Sequence, residues 1–345
     1  MKISVLGAGA IGSMFGALLK QHDPSLNVVL VTRGAHATAI GDQGFVELRG
    51  PWGVYQPAVR ATENVADIEG STHVLLTVKS QDTRSTLQSA QSYLGDAVVT
   101  SIQNGVNRPI LAEYVLPERL VLGTTVLNIA TIRPGAVELQ IDGVTAVGPA
   151  DGAASAASAR GAAELLASSG LKVEFSEHIL GMQYNKLVIN CLGCAASVSD
   201  LNFVRDGIFN REWRQNVAWP LYQECLATIA AAGIELAPIA ASLDVTRFGR
   251  LLKSLDKPGI GAAILYAERL FVRRKPTKFS VRQDLDRRRP TEVDFINGEM
   301  VRLAATCGRQ APYDALVVEL VHELEQSGGG GALPRDEVIR RFREL

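Results

Sequence analysis

Residues 2–12 read KISVLGAGAIG, and the fold turns on how they are read. Lys2–Leu6 is short, apolar and partly β-branched (Ile3, Val5), which specifies a strand. Glycines at 7, 9 and 12 break it, and a helix-like apolar pattern resumes after Gly12. In such a strand–turn–helix the first glycine permits the turn, the second lets backbone approach a pyrophosphate, and the third allows close helix–strand packing. Unpaired N–H groups at the positive end of the new helix then attract phosphate. Gly7, Ala8, Gly9, Ala10, Ile11 and Gly12 are therefore the candidate cofactor cradle. A secretory signal also opens on a basic residue and apolar sequence, but glycines at 7, 9, 12 and 16 leave no long leucine-type core.

Working outward, residues 27–32 (NVVLVT) read as a second, buried parallel strand. NAD-specific sites usually carry Asp or Glu at its end to bind the ribose 2′-hydroxyl; here Val31-Thr32-Arg33-Gly34 offers no acid. A guanidinium suits a 2′-phosphate, and such a charge-assisted contact is worth roughly 1.5–3 kcal/mol, so Arg33 points to NADP(H). Residues 44–60 alternate around a Gly-Pro-Trp-Gly turn and predict a β-hairpin or meander. Strands at 73–78 and 96–102 deliver Lys79 and Gln103-Asn104-Gly105 to the carboxyl edge of the sheet, where ligands of open α/β sheets gather. Asn104 suits a carboxamide or substrate contact, and also a turn-forming Asn-Gly. Residues 120–129, 136–141 and 144–147 are expected to continue the sheet, followed by an Ala-rich helix at 153–168 and a last strand at 172–175.

The 345 residues suffice for two domains. With 47% apolar and 21% charged residues the composition is that of a globular protein, and no apolar run approaches the ~20 residues of a membrane span. A net charge of −1 gives no general attraction to nucleic acid or anionic lipid. Four cysteines without a credible signal fit a reducing cytoplasm. Cys191 and Cys194 form a CxxC, but no second pair or nearby histidines complete a metal site, so two thiols on a packed helix is the preferred reading.

Beyond residue 177 the pattern turns helical. The expected organisation is an α/β Rossmann-type doubly wound sheet over residues 1–175 and a mostly α-helical substrate domain over 176–326. A Gly-rich spacer with a peripheral tail would occupy 327–345. In MQYNKLVINCLGC, residues 182–194, Lys186, Asn190 and Cys194 recur every four residues and share one helix face. A lysine and an asparagine on an otherwise apolar helix are costly unless exposed or partnered. In residues 279–298 a polar loop carrying Ser280 and Asp284 leads through Thr291 to Glu292 near a helix start. Thr291 resembles an N-cap, so Glu292 either complements the helix dipole or faces a cleft. Arg273, Arg274, Lys275, Lys278, Arg282, Arg287, Arg288 and Arg289 are either solvated surface or an attraction for an anionic ligand. Trp213, Trp219, Phe248, Tyr266 and Phe271 serve either core packing or the face of a homodimer.

Together these segments resemble the ketopantoate reductase (2-dehydropantoate 2-reductase) family from residue 1 to about 324. The resemblance rests on GAGAIG at 7–12, Arg33, VKSQDT at 78–83, QNG at 103–105, NKLVIN at 185–190, and SVRQDL and TEVDFING between 280 and 298. It implies NADPH-dependent reduction of a small 2-oxo acid, with Lys186 as the catalytic general acid and Glu292 supporting it beside cofactor and substrate. It further implies Asn190, Ser280 and Asn104 as substrate ligands, and Lys79 and Asn104 lining the nicotinamide site. One position departs from the pattern: Cys194 stands in the substrate pocket where the family usually has asparagine, and residues 195–200 (AASVSD) also differ. That leaves open a relative acting on another 2-oxo acid or an imine, and a non-catalytic NADP(H)-binding sensor.

Overall fold

Strand β1 (Lys2–Leu6) needs cover on both faces, because Ile3, Val5 and Leu6 are all apolar. It lies inside a sheet, paired in parallel with β2 (Asn27–Val31) on one side and β6 (His73–Leu76) on the other. The structure is a computed structural model and describes residues 1–239, 244–257 and 278–345. It divides after Gln183 into two compact units, each with its own core. The division falls within helix α6 (Ile179–Val198).

In the first unit the strands between these are β3 (Glu47–Gly50), β4 (Gly53–Tyr55) and β5 (Arg60–Thr62). Those that follow are β7 (Val98–Ser101), β8 (Leu120–Thr125), β9 (Asn128–Arg133), β10 (Ala136–Ile141), β11 (Val144–Pro149) and β12 (Lys172–Phe175). Eight of them form the main sheet in the order β12-β11-β8-β7-β6-β1-β2-β5. Every pairing is parallel apart from β8–β11, so β11 and β12, at one edge, run together against the other six, a mixed sheet of the kind common among doubly wound folds. Helix α1 (Ala10–His22) buries Met14, Phe15, Ala17, Leu18 and Leu19, an apolar belt too wide for a one-sided helix. The second partner is a four-stranded sheet, β4-β3-β10-β9, so α1 packs on strands of both sheets.

That second sheet corrects the expectation that residues 120–129 and 136–141 extend the first. Only Leu120–Thr125 and Val144–Pro149 do so; Asn128–Arg133 and Ala136–Ile141 pair with each other. β10 then joins the β3–β4 hairpin, through a parallel β3 pairing that begins where the Glu47 amide donates to the Gly135 carbonyl at 2.9 Å. Helices α2 (Gly34–Gln43), α3 (Thr83–Ala90), α4 (Arg108–Leu111) and α5 (Ala156–Ala167) complete the unit.

The second unit is helical among its described residues. Its helices after α6 are α7 (Arg211–Trp213), α8 (Trp219–Ala231), α9 (Val245–Ser254), α10 (Ser280–Asp286), α11 (Val293–Thr306), α12 (Pro312–Gln326) and α13 (Arg335–Arg343). α8, α11 and α12 pack on one another around Leu221, Ile229, Met300, Leu320 and Val321. Trp213 is buried, Trp219 stacks on Tyr222, and Phe248 stacks on Phe203, so these three rings pack within the unit. Tyr266 and Phe271 lie outside the described residues, as do Arg273, Arg274 and Lys275.

Two expectations for this unit change. Ser280 sits at the start of a helix rather than in a polar loop: Arg282, at i−4 from Asp286, donates from Nε and Nη2 to the one oxygen Oδ1 of Asp286 at 2.8 and 2.6 Å, an ion pair that favours the turn. The tail is also not peripheral. Val338, Ile339 and Phe342 are buried, and Phe342 stacks on Tyr313. The glycine run is tied down by backbone bonds, Gly330 N–H to the Leu285 carbonyl at 2.8 Å and Leu333 N–H to the Val198 carbonyl at 2.9 Å. Arg282 is 3% exposed and also donates to the carbonyls of Ser197 and Gly331.

Candidate active site

In the first unit the glycine turn is built by close approach. Gly7 has φ +80°, and its N–H and that of Ala8 both donate to the Val31 carbonyl at 3.0 Å. A Cβ on Gly7 would sit 2.3 Å from Val78 Cγ1, and one on Gly12 would sit 2.3 Å from Thr77 Oγ1. Packing thus demands glycine at both positions. Gly9 is different: a Cβ there would meet nothing nearer than the Gly7 carbonyl at 3.9 Å. The fold leaves space above Gly9, at the start of α1, which is the cradle a pyrophosphate needs, and Ala10 and Ile11 form the first helical turn beneath it. The residues present therefore fit a dinucleotide.

The turn is braced from below. The Ser13 hydroxyl donates to the Ala8 carbonyl at 3.0 Å and contacts His36 Nε2 at 3.0 Å. His36 Nδ1 accepts from the Gly135 amide, which assigns the proton to Nε2. Burial lowers the His36 pKa, favouring this neutral form.

The strand ends beside the turn carry Lys79 and Asn104, both half-buried. Sequence reading passed over what positions them. Gln103 is buried, and its amide donates to the Val78 carbonyl and to Thr83 Oγ1, both at 2.8 Å. Ser80 Oγ and Asn107 Nδ2 both donate to the Asn104 carbonyl. The loops after β6 and β7 are thereby tied into one polar cluster. A glutamine flanked by strand and Asn-Gly was the available signal. Arg33 is exposed at the N-cap of α2, after the end of β2. Beside it lies a residue the sequence reading missed: the Glu63 carboxylate accepts from the Gly34 amide at 2.8 Å.

In the second unit Lys186, Asn190 and Cys194 occupy α6 at four-residue spacing. Lys186 and Asn190 are half-buried, while Cys194 is 1% exposed. Burial drives the Lys186 pKa down to about 8, and the Glu292 carboxylate opposes that shift. Desolvation thus takes Lys186 well below the ordinary lysine value of 10.5. Glu292 is 5% exposed at the N-terminus of α11 and makes no capping bond; Thr291 Oγ1 takes that role, accepting from the Val293 amide at 3.3 Å. The Cys194 thiol is pushed up by burial, then by Asp314 and Glu292, and stays neutral. Lys186, Cys194 and Glu292 therefore share one electrostatic neighbourhood. Ser280 opens α10 between two anchors on α6: Phe279, which a Cβ on Gly193 would strike at 2.3 Å, and Arg282. Gly193 carries a signal of its own, since mid-helix glycine costs about 1 kcal/mol relative to alanine.

Cys191 meets Cys225 and Asp314 rather than Cys194, their ligand atoms lying within 4.8 Å of one another, all buried. Burial raises both thiols and the Asp314 carboxyl, and Asp314 accepts from Asn297 Nδ2 at 2.7 Å. Burial thus favours the protonated thiols and carboxyl in this hydrogen-bonded group. Of the basic residues in the same stretch, Lys278 pairs with Asp286 at 2.9 Å and Asp200 at 3.4 Å, whereas Arg287, Arg288 and Arg289 are exposed. No helix among the described residues is long and apolar enough to cross a membrane.

A phosphate cradle heading a parallel sheet, with a lysine of lowered pKa and a buried carboxylate on a helical unit, is the equipment of an oxidoreductase. The chain belongs to the ketopantoate reductase family, residues 3–152 matching its ketopantoate reductase PanE/ApbA model and residues 178–325 the corresponding C-terminal model. It is similar to the 2-dehydropantoate 2-reductase of Pyrococcus horikoshii, with 28% identity over 96% of this chain and 99% of that one. Among solved structures it resembles D-mandelate dehydrogenase in complex with NADH and anilino(oxo)acetate, at 25% identity and a TM-score of 0.78 over 95% of this chain and 99% of that one. A ketopantoate reductase from Ralstonia eutropha JMP134 shares the fold, with TM-score 0.75 at 24% identity over 95% and 99% of the two chains.

Proposed function

We propose that the protein reduces a 2-oxo acid to the 2-hydroxy acid with a nicotinamide dinucleotide, and that 2-dehydropantoate or a close analogue is the substrate. The observation that carries this reading is Lys186, drawn to about 8 by burial and held up by Glu292. An amine of that pKa is about 90% protonated at pH 7 yet releases its proton far more readily than a solvated lysine. When bound, the cofactor supplies hydride to the keto carbon. The Lys186 ammonium stabilises the oxygen as it gains charge, then gives it a proton, and solvent reprotonates the resulting amine to restore the ammonium. Glu292 keeps the ammonium charged, Asn190 and Ser280 bind the carboxylate and hydroxyls, and Lys79 and Asn104 line the reacting end. Gly7, Ala8, Gly9, Ala10, Ile11 and Gly12 hold the pyrophosphate, and Arg33 offers its guanidinium to the 2′-phosphate of NADP(H).

Cys194 supports a second reading of the substrate. A neutral, buried thiol in place of an amide removes a donor and an acceptor from the pocket, which favours a less polar 2-oxo acid, such as the oxo form of mandelate. Cofactor oxidation over a panel containing 2-dehydropantoate, phenylglyoxylate and aliphatic 2-oxo acids tests both. The first reading expects the highest kcat/KM on 2-dehydropantoate. Preference for phenylglyoxylate selects the second, and tight cofactor binding without turnover on any 2-oxo acid rejects reduction.

A further inference from the structure

The residue at the end of β2 that reads the adenosine ribose is missing from β2 itself: Val31 is followed by Thr32 and Arg33, with no acid. The fold supplies one from the neighbouring strand. β5 (Arg60–Thr62) runs parallel to β2, in register at Val31↔Thr62, and the Thr32 amide donates to the Thr62 carbonyl at 3.0 Å. That register sets Glu63, the next residue, opposite Thr32, one step before Arg33, with its side chain within reach of Gly34. The Glu63 carboxylate accepts from the Gly34 amide at 2.8 Å, at the first residue of α2. An amide at the positive end of a helix beside a guanidinium is what an incoming phosphate would use, and here a carboxylate already holds it. Glu63 is exposed, so its remaining lone pairs are open to a ligand hydroxyl.

We infer that Glu63 is a specificity-determining residue acting against Arg33: it accepts the ribose hydroxyls of NAD(H) and repels the 2′-phosphate of NADP(H). The inference rests on the reading that the glycine turn holds a nicotinamide dinucleotide. Arg33 alone would give strong NADP(H) preference, and the two charges together leave the chain able to bind both cofactors, with affinities within about tenfold of each other.

The test is fluorescence titration of NADPH and NADH into the full chain, wild type and Glu63→Gln, at low and high salt. Glutamine keeps an oxygen for the Gly34 amide and removes only the charge, so the melting temperature should be unchanged. The variant is expected to bind NADPH about tenfold more tightly and NADH no better than wild type, with the gain shrinking at 0.5 M salt, where screening reaches within about 4–5 Å. Arg33→Gln should move the ratio the other way. If wild type binds both cofactors and Glu63→Gln leaves both constants unchanged, or moves them together, the Glu63 assignment is overturned while the cofactor reading stands. Failure of wild type to bind either cofactor overturns both.

Discussion

Raising the pH through 8 should switch off reduction. Burial lowers the Lys186 pKa from 10.5 to about 8 against the attraction of Glu292. At about 1.36 kcal/mol per unit, that shift represents roughly 3 kcal/mol of disfavour for the charged amine in the folded protein. Only the charged form can donate a proton. The kcat/KM for 2-oxo acid reduction should therefore be flat below pH 7, half-maximal near 8, and fall about tenfold per unit beyond it. Glu292→Gln removes the attraction, so the falling limb should move about one unit toward acid. In the reverse reaction the neutral amine is the base, and the rate should rise to a plateau above pH 8. Initial rates from pH 6 to 10 with saturating cofactor measure both directions. A limb at pH 10 or above in the wild type, or one that Glu292→Gln leaves in place, would refute the placement of Lys186 and Glu292 in one electrostatic site.

Three other outcomes follow from the same structure. Because the folded pKa of Lys186 lies below its unfolded value, its cost to stability is full below pH 8 and gone above about 10.5; Lys186→Met, inactive, should melt higher at pH 7. The gain is about 1–2 kcal/mol once partial exposure is discounted, and calorimetry at pH 7 and 10.5 should show it vanish at the higher pH. Gly7→Ala forces a Cβ to 2.3 Å from Val78 Cγ1 at positive φ and should cost at least 2 kcal/mol, whereas Gly9→Ala should leave denaturant stability within about 0.5 kcal/mol and weaken cofactor binding about tenfold. Equal effects on stability would show that the space above Gly9 is not a binding cradle. Removing residues 327–345 exposes the partners of Val338, Ile339 and Phe342, each worth about 1.5–3 kcal/mol, and should lower the melting temperature by about 10 °C. An unchanged melting temperature would mean that the tail contributes no packing.

What the sequence disclosed was local. The glycine turn is an eleven-residue pattern whose strand, turn and helix are each specified by their own neighbours, and the spacing of Lys186, Asn190 and Cys194 needs only helical period. What it hid depends on distant partners. Residues 128–133 and 136–141 alternate as well as any strand of the main sheet, and only the Glu47–Gly135 bond and the apolar belt of α1 send them to a second one. Glu63 is invisible to a motif confined to the end of β2, because the fold brings the acid from β5. The lowered pKa of Lys186 and the pairing of Cys191 with Cys225 are likewise consequences of packing between helices far apart in sequence. A run of glycines reads as a spacer until its amides find the carbonyls of Leu285 and Leu324.

The central claim is that Lys186 protonates the oxygen of a 2-oxo acid as the cofactor reduces it. Single-turnover reduction of 2-dehydropantoate, or of the best acid in the panel, by wild type and Lys186→Ala tests it most directly, with the cofactor dissociation constant of each measured alongside. The expected result is a rate at least ~10²-fold lower in the variant, with cofactor affinity within twofold of wild type. An undiminished single-turnover rate would contradict the account.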